Sequence, residues 1–290
     1  YTLRTLFPYT TLFRSNALTM AIEASKKVLS TSNLLGSDID LIVFTSSTPE
    51  YIAPSNAVKI HHAINGKASA CVYDTNSNCV GMIVSLDQLY NSIMNNPTMK
   101  RVLLVGSEHI NHHSKDSDEI TYSNFGDAAV AIILERCEEA NHGVIGNAYY
   151  TDSSYHDTIL MPECGYSNIS EVDNSCKKLL WNPFNTDEAF ISAENSIESI
   201  LANHNLTKKD VKRYFMSQFS KNNIDKLCTN LHEDISKFTY IGDEYGYTGC
   251  TSPFIAFATA LLNNEIHSGD LVIFWSVGAG ITSCCLAFRL

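Results

Sequence analysis

The first residue in this chain whose type and setting suggest chemistry is Cys79. Residues 70–86 read Ala-Cys-Val-Tyr-Asp-Thr-Asn-Ser-Asn-Cys-Val-Gly-Met-Ile-Val-Ser-Leu. The pattern predicts a short apolar strand, a polar turn, and a helix whose first turn carries Cys79. Backbone N–H groups are unpaired in that first turn and the helix dipole is positive there, so the position is expected to favour the thiolate. A thiolate placed there would be a nucleophile. A small buried hydrophobe would fit the same place. The rest of the chain decides between them.

The elements that must hold Cys79 follow from hydrophobic spacing. Leu18, Ala21, Ile22, Ser25, Val28 and Leu29 recur at helical period over Asn16–Ser30. Asp40–Ser46 is a largely apolar strand, and Pro54 opens a helix to about Ile64. Arg101–Gly106 and Ala128–Leu134 are strands of buried type, while residues 143–180 show little periodicity. The second half then repeats the first. A helix over Asp187–Ala202 precedes the strand Arg213–Ser217, a helix over Ile224–Leu231 follows, and the glycine-rich turn Gly242–Gly249 opens a helix over Pro253–Leu262. Leu271–Ser276 answers Arg101–Gly106. Cys79 and Cys250 are 171 positions apart, as are Val43–Ser46 and Tyr214–Ser217. A constant offset across strand, turn and helix predicts an internal duplication. Two α/β halves follow, each with helices on both sheet faces, and a ligand site where they meet.

Composition bounds the partners. Twenty Lys and Arg against 31 Asp and Glu leave a net charge of −11 over 290 residues, which disfavours nonspecific nucleic-acid binding. Nine cysteines, an odd number spread through apolar runs, read as free thiols in a reduced, cytoplasmic setting. No apolar run approaches the length of a membrane span. His109, His112 and His113 follow a strand end in an acidic stretch and read as a solvated loop without metal, although the end of such a strand can reach a pocket. His61 and His62 read as structural. Hydrolase elbows, phosphate-binding loops and dinucleotide fingerprints are lacking in the sequence.

Four ordered segments carry a resemblance. Asp74-Thr-Asn-Ser-Asn-Cys79-Val-Gly-Met is similar to the Asp-x-x-x-x-Cys-x-Gly-Phe nucleophile segment of the β-ketoacyl-acyl-carrier-protein synthase III family, in the thiolase superfamily. Phe125-Gly-Asp-Ala-Ala-Val-Ala resembles its Phe-Gly-Asp-Gly-Ala-Gly-Ala strand. Tyr245-Gly-Tyr-Thr-Gly-Cys-Thr-Ser252 resembles its Tyr-Gly-Asn-Thr-Ser-Ala-Ala-Ser segment. Ser268-Gly-Asp through Gly278-Ala-Gly-Ile-Thr282 is like its closing strand and glycine loop. The resemblance spans Asn16–Leu290 and implies a thiolase-like, duplicated αβαβα layered fold with two pseudo-symmetric halves.

By that resemblance Cys79 accepts the acyl group, and the backbone N–H groups of Cys79 and Ala279 form an oxyanion hole that the glycine loop brings close. The family's histidine and asparagine are both replaced. Met216-Ser-Gln-Phe-Ser-Lys-Asn-Asn-Ile224 puts Gln218 at the histidine position when anchored on Ile224, and Ser217 there when anchored on the glutamine; Tyr247 stands for the asparagine. Gln218 and Tyr247 can donate hydrogen bonds, but neither is a base at neutral pH. Three readings stay open: a condensing enzyme of fatty-acid or secondary-metabolite synthesis, an acyltransferase passing the group to oxygen or nitrogen, and an inactive partner subunit. The resemblance further implies acyl-coenzyme A as substrate, an acyl-carrier protein as partner, a homodimer, and no bound cofactor or metal.

Tyr1–Ser15 break this pattern. Leu6–Ser15 is similar to the translation of a common short-read sequencing adapter and is set outside the expected fold. On that reading the natural opening segment is replaced, and the chain should expose the surface its first strand would cover and dissolve poorly. The expected division is an adapter-derived 1–15, a first half over 16–180 and a second half over 181–290.

Overall fold

Strands that are apolar at every position need cover on both faces, and amphipathic helices need a surface for one face; layers satisfy both. The computed structural model describes residues 15–137 and 142–290, with the backbone of residues 2–9. The first stretch of chain forms β1 (Thr2–Tyr9), α1 (Ala17–Thr31), β2 (Leu41–Thr45), α2 (Asn56–Ala63), β3 (Cys71–Thr75), α3 (Gly81–Asn95), β4 (Arg101–Glu108), α4 (Glu119–Asn124) and β5 (Ala128–Glu135). Then come β6 (Gly143–Tyr155), β7 (Ile159–Leu160), β8 (Leu180–Trp181), α5 (Asp187–Asn203), β9 (Val211–Met216), α6 (Lys221–Asn230), α7 (Gly242–Tyr245), α8 (Ser252–Leu262), β10 (Leu271–Gly278) and β11 (Gly280–Arg289).

Two sheets result, ordered β1-β5-β4-β2-β3 and β6-β11-β10-β9. Within each, the central strands are parallel and the hairpin partner is antiparallel: β2 with β3 and β4, then β4 with β5; β9 with β10, then β10 with β11. Successive residues of β2 point to opposite faces. Leu41 and Val43 meet the buried side of α3, whereas Ile42 and Phe44 meet α1 and α2. On the second sheet Phe215 and Phe274 face α8, while Tyr214, Ile273 and Trp275 face α5 and α6. The layers therefore run helix, sheet, helix, sheet, helix, as expected. α3 and α8 form the middle layer, and nearly every residue of α8 is buried because sheets or helices surround it.

The duplication is present in space. Cys79 and Cys250 each lie in a short 3₁₀ turn, Asn78–Val80 and Gly249–Thr251, that leads into a middle-layer helix. β3 has only a remnant as its counterpart, a single parallel bridge between Tyr214 and Phe238. The halves do not divide near residue 180. β6 already pairs with β11, so the second sheet begins at Gly143; only Gly143 of this strand is buried, which left hydrophobic spacing little to report. β6 precedes α5 and borders β11, just as β1 precedes α1 and borders β5. Thr2–Tyr9, set outside the fold on sequence grounds, thus occupy the first half's matching slot. An open strand edge pairs through main-chain groups, which sets few demands on side-chain identity.

Phe254 of α8 is fully buried and stacks on Phe274 at 4.9 Å between ring centres. Phe254→Ala is expected to lose about 3–5 kcal/mol of stability, read as a lower urea midpoint. A loss below about 1 kcal/mol would mean that the middle layer is not closely packed.

Candidate active site

The end of β3 is fixed before the chain reaches Cys79. Asp74 accepts hydrogen bonds from the backbone N–H groups of Asn56 at 2.6 Å and Ala57 at 2.8 Å, which ties β3 to the unpaired donors of the α2 N-terminus. Asn78, in the left-handed region at φ 51°, then turns the chain into the 3₁₀ segment. The other half holds that segment from the far side. Ser276 donates to the Cys79 carbonyl at 2.8 Å, and a Cβ on Gly278 would stand 3.1 Å from Asn78 Cβ and 3.4 Å from the Cys79 nitrogen. A side chain there would press on Asn78, so glycine suits the close approach of β10. Ala279 follows directly and, with Cys79, lines a cavity of about 340 Å³ between the halves.

The cavity wall is mainly apolar. Trp181 stacks on Phe219 at 5.0 Å, and Phe219 meets Tyr247 edge-on at 5.2 Å. Ile110, Leu179 and Phe184 extend the wall, and among the described residues no charged side chain lines it. Tyr247 is placed by its backbone, which donates to the Asn124 carbonyl at 2.7 Å and accepts from the Gly126 N–H at 3.0 Å. A side chain on Gly126 would collide with the Tyr245 carbonyl, so this close approach also needs glycine. The Tyr247 hydroxyl lies beside the Cys79 thiol and the Ser217 hydroxyl. The Ser217 hydroxyl is buried, faces the cavity, and makes no hydrogen bond of full geometry.

Cys79, Tyr247 and Ala279 are thus brought together. Gln218 is not. Its amide donates to the carbonyls of Met216 at 2.8 Å and Thr239 at 3.2 Å, and its oxygen accepts from the Ile241 N–H at 2.9 Å. Each major polar group is used in holding the loop behind the site, and Ser217 takes the cavity-facing position instead. The cause is geometric, because consecutive residues leaving β9 point to opposite sides.

The expected thiolate is also not what the surroundings favour. Burial pushes the Cys79 thiol up to about 12, and the Glu108 carboxylate adds to the rise; the Tyr247 hydroxyl acts the other way. Desolvation and a like charge outweigh the helix start. Glu108, at the end of β4, is completely buried. It accepts hydrogen bonds from Ser47 Oγ at 2.8 Å, Thr48 Oγ1 at 2.9 Å and the Ser47 N–H at 3.1 Å, while burial raises its carboxyl above the usual range. Burial likewise holds the Tyr247 phenol well above its ordinary value.

The histidine stretch does not enter the cavity through an imidazole. Ile110 is the residue that reaches the wall. His109 stacks on His112 at 5.1 Å and stands 3.7 Å from Asp127, while burial and the neighbouring His112 and His109 push His113 down to about 4. No group of three or more metal-binding side chains is assembled among the described residues. Cys79, Cys164, Cys176 and Cys250 are free thiols.

Comparison with known proteins agrees with this geometry. The family model for 3-oxoacyl-[acyl-carrier-protein] synthase III matches residues 73–153, and the model for its C-terminal part matches residues 201–290. The chain is a synthase III-like member of the thiolase superfamily. Relatives named β-ketoacyl-[acyl-carrier-protein] synthase III include one from Rickettsia bellii, 26% identical over 265 residues, covering 91% of this chain and 81% of the relative. Another, from Clostridium perfringens, is 28% identical over 271 residues, covering 92% and 82%. The crystal structure of 3-oxoacyl-[acyl-carrier-protein] synthase III from Aquifex aeolicus VF5 shares the fold with a TM-score of 0.83 at 24% identity, covering 95% of this chain and 85% of that one.

In this synthase III-like site, sequence reasoning missed Ser47, Glu108, Trp181 and Phe219. A glutamate just past an apolar strand is a visible signal for Glu108, but a solvated strand end gives the same signal. With its thiol near 12, Cys79 should alkylate with iodoacetamide at a rate that rises about tenfold per pH unit across about pH 7–10 without a plateau. Tyr247→Phe removes a donor to the thiolate, so it should slow alkylation several-fold at each pH. Peptide mapping of the Cys79 adduct reads both, and a plateau below about pH 9 would contradict the elevated thiol.

Proposed function

We propose that this chain is an acyltransferase of the β-ketoacyl-acyl-carrier-protein synthase III type, loading an acyl group from acyl-coenzyme A onto Cys79. The observation that carries the reading is the convergence of Cys79, Ala279, Tyr247 and Ser217 on one uncharged cavity between the halves. In the loading step the Cys79 sulfur attacks the thioester carbonyl, a new C–S bond forms, and the coenzyme A thiolate leaves with the proton from Cys79. Backbone N–H groups of Cys79 and Ala279 are the proposed donors to the oxyanion that forms on the way. With the thiol near 12, about one Cys79 in 10⁵ is ionised at pH 7, so loading should be slow at neutrality.

The second step is proposed as decarboxylative condensation with a malonyl group on an acyl-carrier protein. Loss of carbon dioxide leaves an enolate oxygen, which needs hydrogen-bond donors rather than a base. The hydroxyls of Tyr247 and Ser217 can supply two, in place of the family's asparagine and histidine. Transfer to an alcohol or amine would instead need a group to accept the acceptor's proton. Neither hydroxyl can do so at neutral pH, so that proton would have to pass to the departing Cys79 thiolate. The relatives' name places their reaction in fatty-acid synthesis, and the same pathway class is proposed here. No helix among the described residues is long and apolar enough to cross a membrane, and a cytoplasmic setting is part of the proposal.

A homodimer is part of it too. β3 ends the first sheet with one edge unpaired among the described residues, and it exposes Cys71 and Tyr73 there. An unprotected edge of this kind readily pairs with a second copy. Analytical ultracentrifugation should give twice the chain mass, reduced by Tyr73→Lys; a monomer at micromolar concentration would remove the dimer from the proposal.

The deciding experiment is intact mass spectrometry with a panel of acyl-coenzyme A donors. An acyl adduct should map to Cys79 and vanish in Cys79→Ser. Without any adduct the nucleophile assignment fails and an inactive partner subunit becomes the better reading. Once loaded, the protein should release carbon dioxide when malonyl-carrier protein is added. Transfer to an added alcohol or amine without that release would replace condensation by simple acyl transfer.

A further inference from the structure

Between β7 and β8 the chain makes an excursion from the body of the fold and returns. The two short strands pair antiparallel, Ile159 opposite Trp181 and Leu160 opposite Leu180. Beyond them the regular ladder stops, and Cys176 lies in a 3₁₀ turn, Asn174–Lys177. A backbone bond still brings the two arms together at the cysteines, with the Cys164 N–H donating to the Cys176 carbonyl at 3.0 Å. A backbone bond of that length holds the two residues it joins at a Cα separation of roughly 5–6 Å, as between bonded residues of a sheet. A disulfide spans Cα separations of about 4.4–6.8 Å. Both thiols are free and half-buried, and the residues 165–171 beyond them are exposed.

The two ends of the excursion differ in how they are held. At its base, Leu179 donates to the His113 carbonyl at 2.9 Å and Lys178 to the Ser114 carbonyl at 2.8 Å. That base carries Met161, Leu179 and Trp181 into the wall of the Cys79 cavity. At the cysteines the two arms are joined by the single Cys164–Cys176 backbone bond and, one step inward, by the Glu163 N–H to the Lys178 carbonyl at 3.0 Å. Segments held by few, exposed backbone bonds open most readily.

We propose that Cys164 and Cys176 are a reversible redox-modification site, closed to a disulfide by a small-molecule disulfide such as glutathione disulfide, and that the bond locks the excursion over the cavity wall. One protein thiol, deprotonated, attacks a sulfur of glutathione disulfide; the oxidant's S–S bond breaks and a glutathione thiolate leaves. The second protein thiolate attacks the mixed disulfide, forming the Cys164–Cys176 bond and expelling the second glutathione thiolate. Two protein thiols are oxidised, one glutathione disulfide is reduced, and the two protons pass to the departing thiolates. Exposed disulfides are more easily reduced than buried structural ones, which suits a switch rather than a permanent clasp.

The test uses the full chain carrying Cys79→Ser, which silences the cavity thiol, equilibrated in glutathione redox buffers. Nonreducing peptide mapping should find Cys164 joined to Cys176, the link vanishing with dithiothreitol and absent from Cys164→Ser and Cys176→Ser. Hydrogen exchange over residues 159–181 should slow several-fold in the oxidised form relative to the reduced form and to either serine variant. Persistence of both thiols while the buffer oxidises exposed Cys71 would overturn the site. A link without slower exchange would overturn the lock. Neither readout involves acyl transfer, so the result stands apart from the reaction proposed for Cys79.

Discussion

Everything at the site depends on burying two apolar helices between two sheets. α3 and α8 supply the middle layer, and side chains such as Leu86 and Phe254 meet residues from both halves at once. Neither helix could be exposed without leaving a large apolar face in water, so the halves are held against each other along their length. That contact also fixes where the helices begin. The turns holding Cys79 and Cys250 come together at one end of the layer, and the closing hairpin of the second sheet is pressed against the first of them through Gly278. Cys79 from one half and a glycine loop from the other become neighbours as a result of core packing.

The same burial sets the chemistry. A cavity walled by Trp181, Phe219 and Leu179 and lacking charged lining residues among the described residues suits an apolar ligand, but it penalises the ionised form of the Cys79 thiol. The Glu108 carboxylate behind the wall, held by the hydroxyls of Ser47 and Thr48, raises that penalty. Tyr247, whose hydroxyl lies beside the sulfur, opposes it. The hydroxyls of Tyr247 and Ser217 leave the site able to donate hydrogen bonds and unable to store a proton at neutral pH. Electrostatic stabilisation is the mode of catalysis such a site retains.

Much of the architecture was legible because its signals are periodic and repeated. Fully apolar strands, helices at 3.6-residue spacing and a constant offset between halves each report on many residues, so errors at single positions average out. Where periodicity lapses, legibility lapses with it. β6 alternates too weakly to show which sheet it joins, and β7 and β8 are only two residues each, visible through their pairing alone. Within the site, Cys79, Tyr247 and Ala279 lie in segments with a fixed distance to a helix or strand. The Ser217–Asn223 stretch has no such anchor, and a slip of one residue exchanges the cavity-facing Ser217 for the loop-bracing Gln218.

The sequence by itself determined the layered α/β fold, the duplication and the position of Cys79 at a helix start, because these follow from local spacing and from residue types that local geometry demands. Only the tertiary structure decided which of Ser217 and Gln218 faces the cavity, that Glu108 stands behind it, and that the thiol is raised rather than lowered. Those outcomes depend on burial and on charges brought in from residues distant along the chain. A helix start acts over one turn, whereas desolvation acts through everything packed around it, and at Cys79 the larger effect prevails.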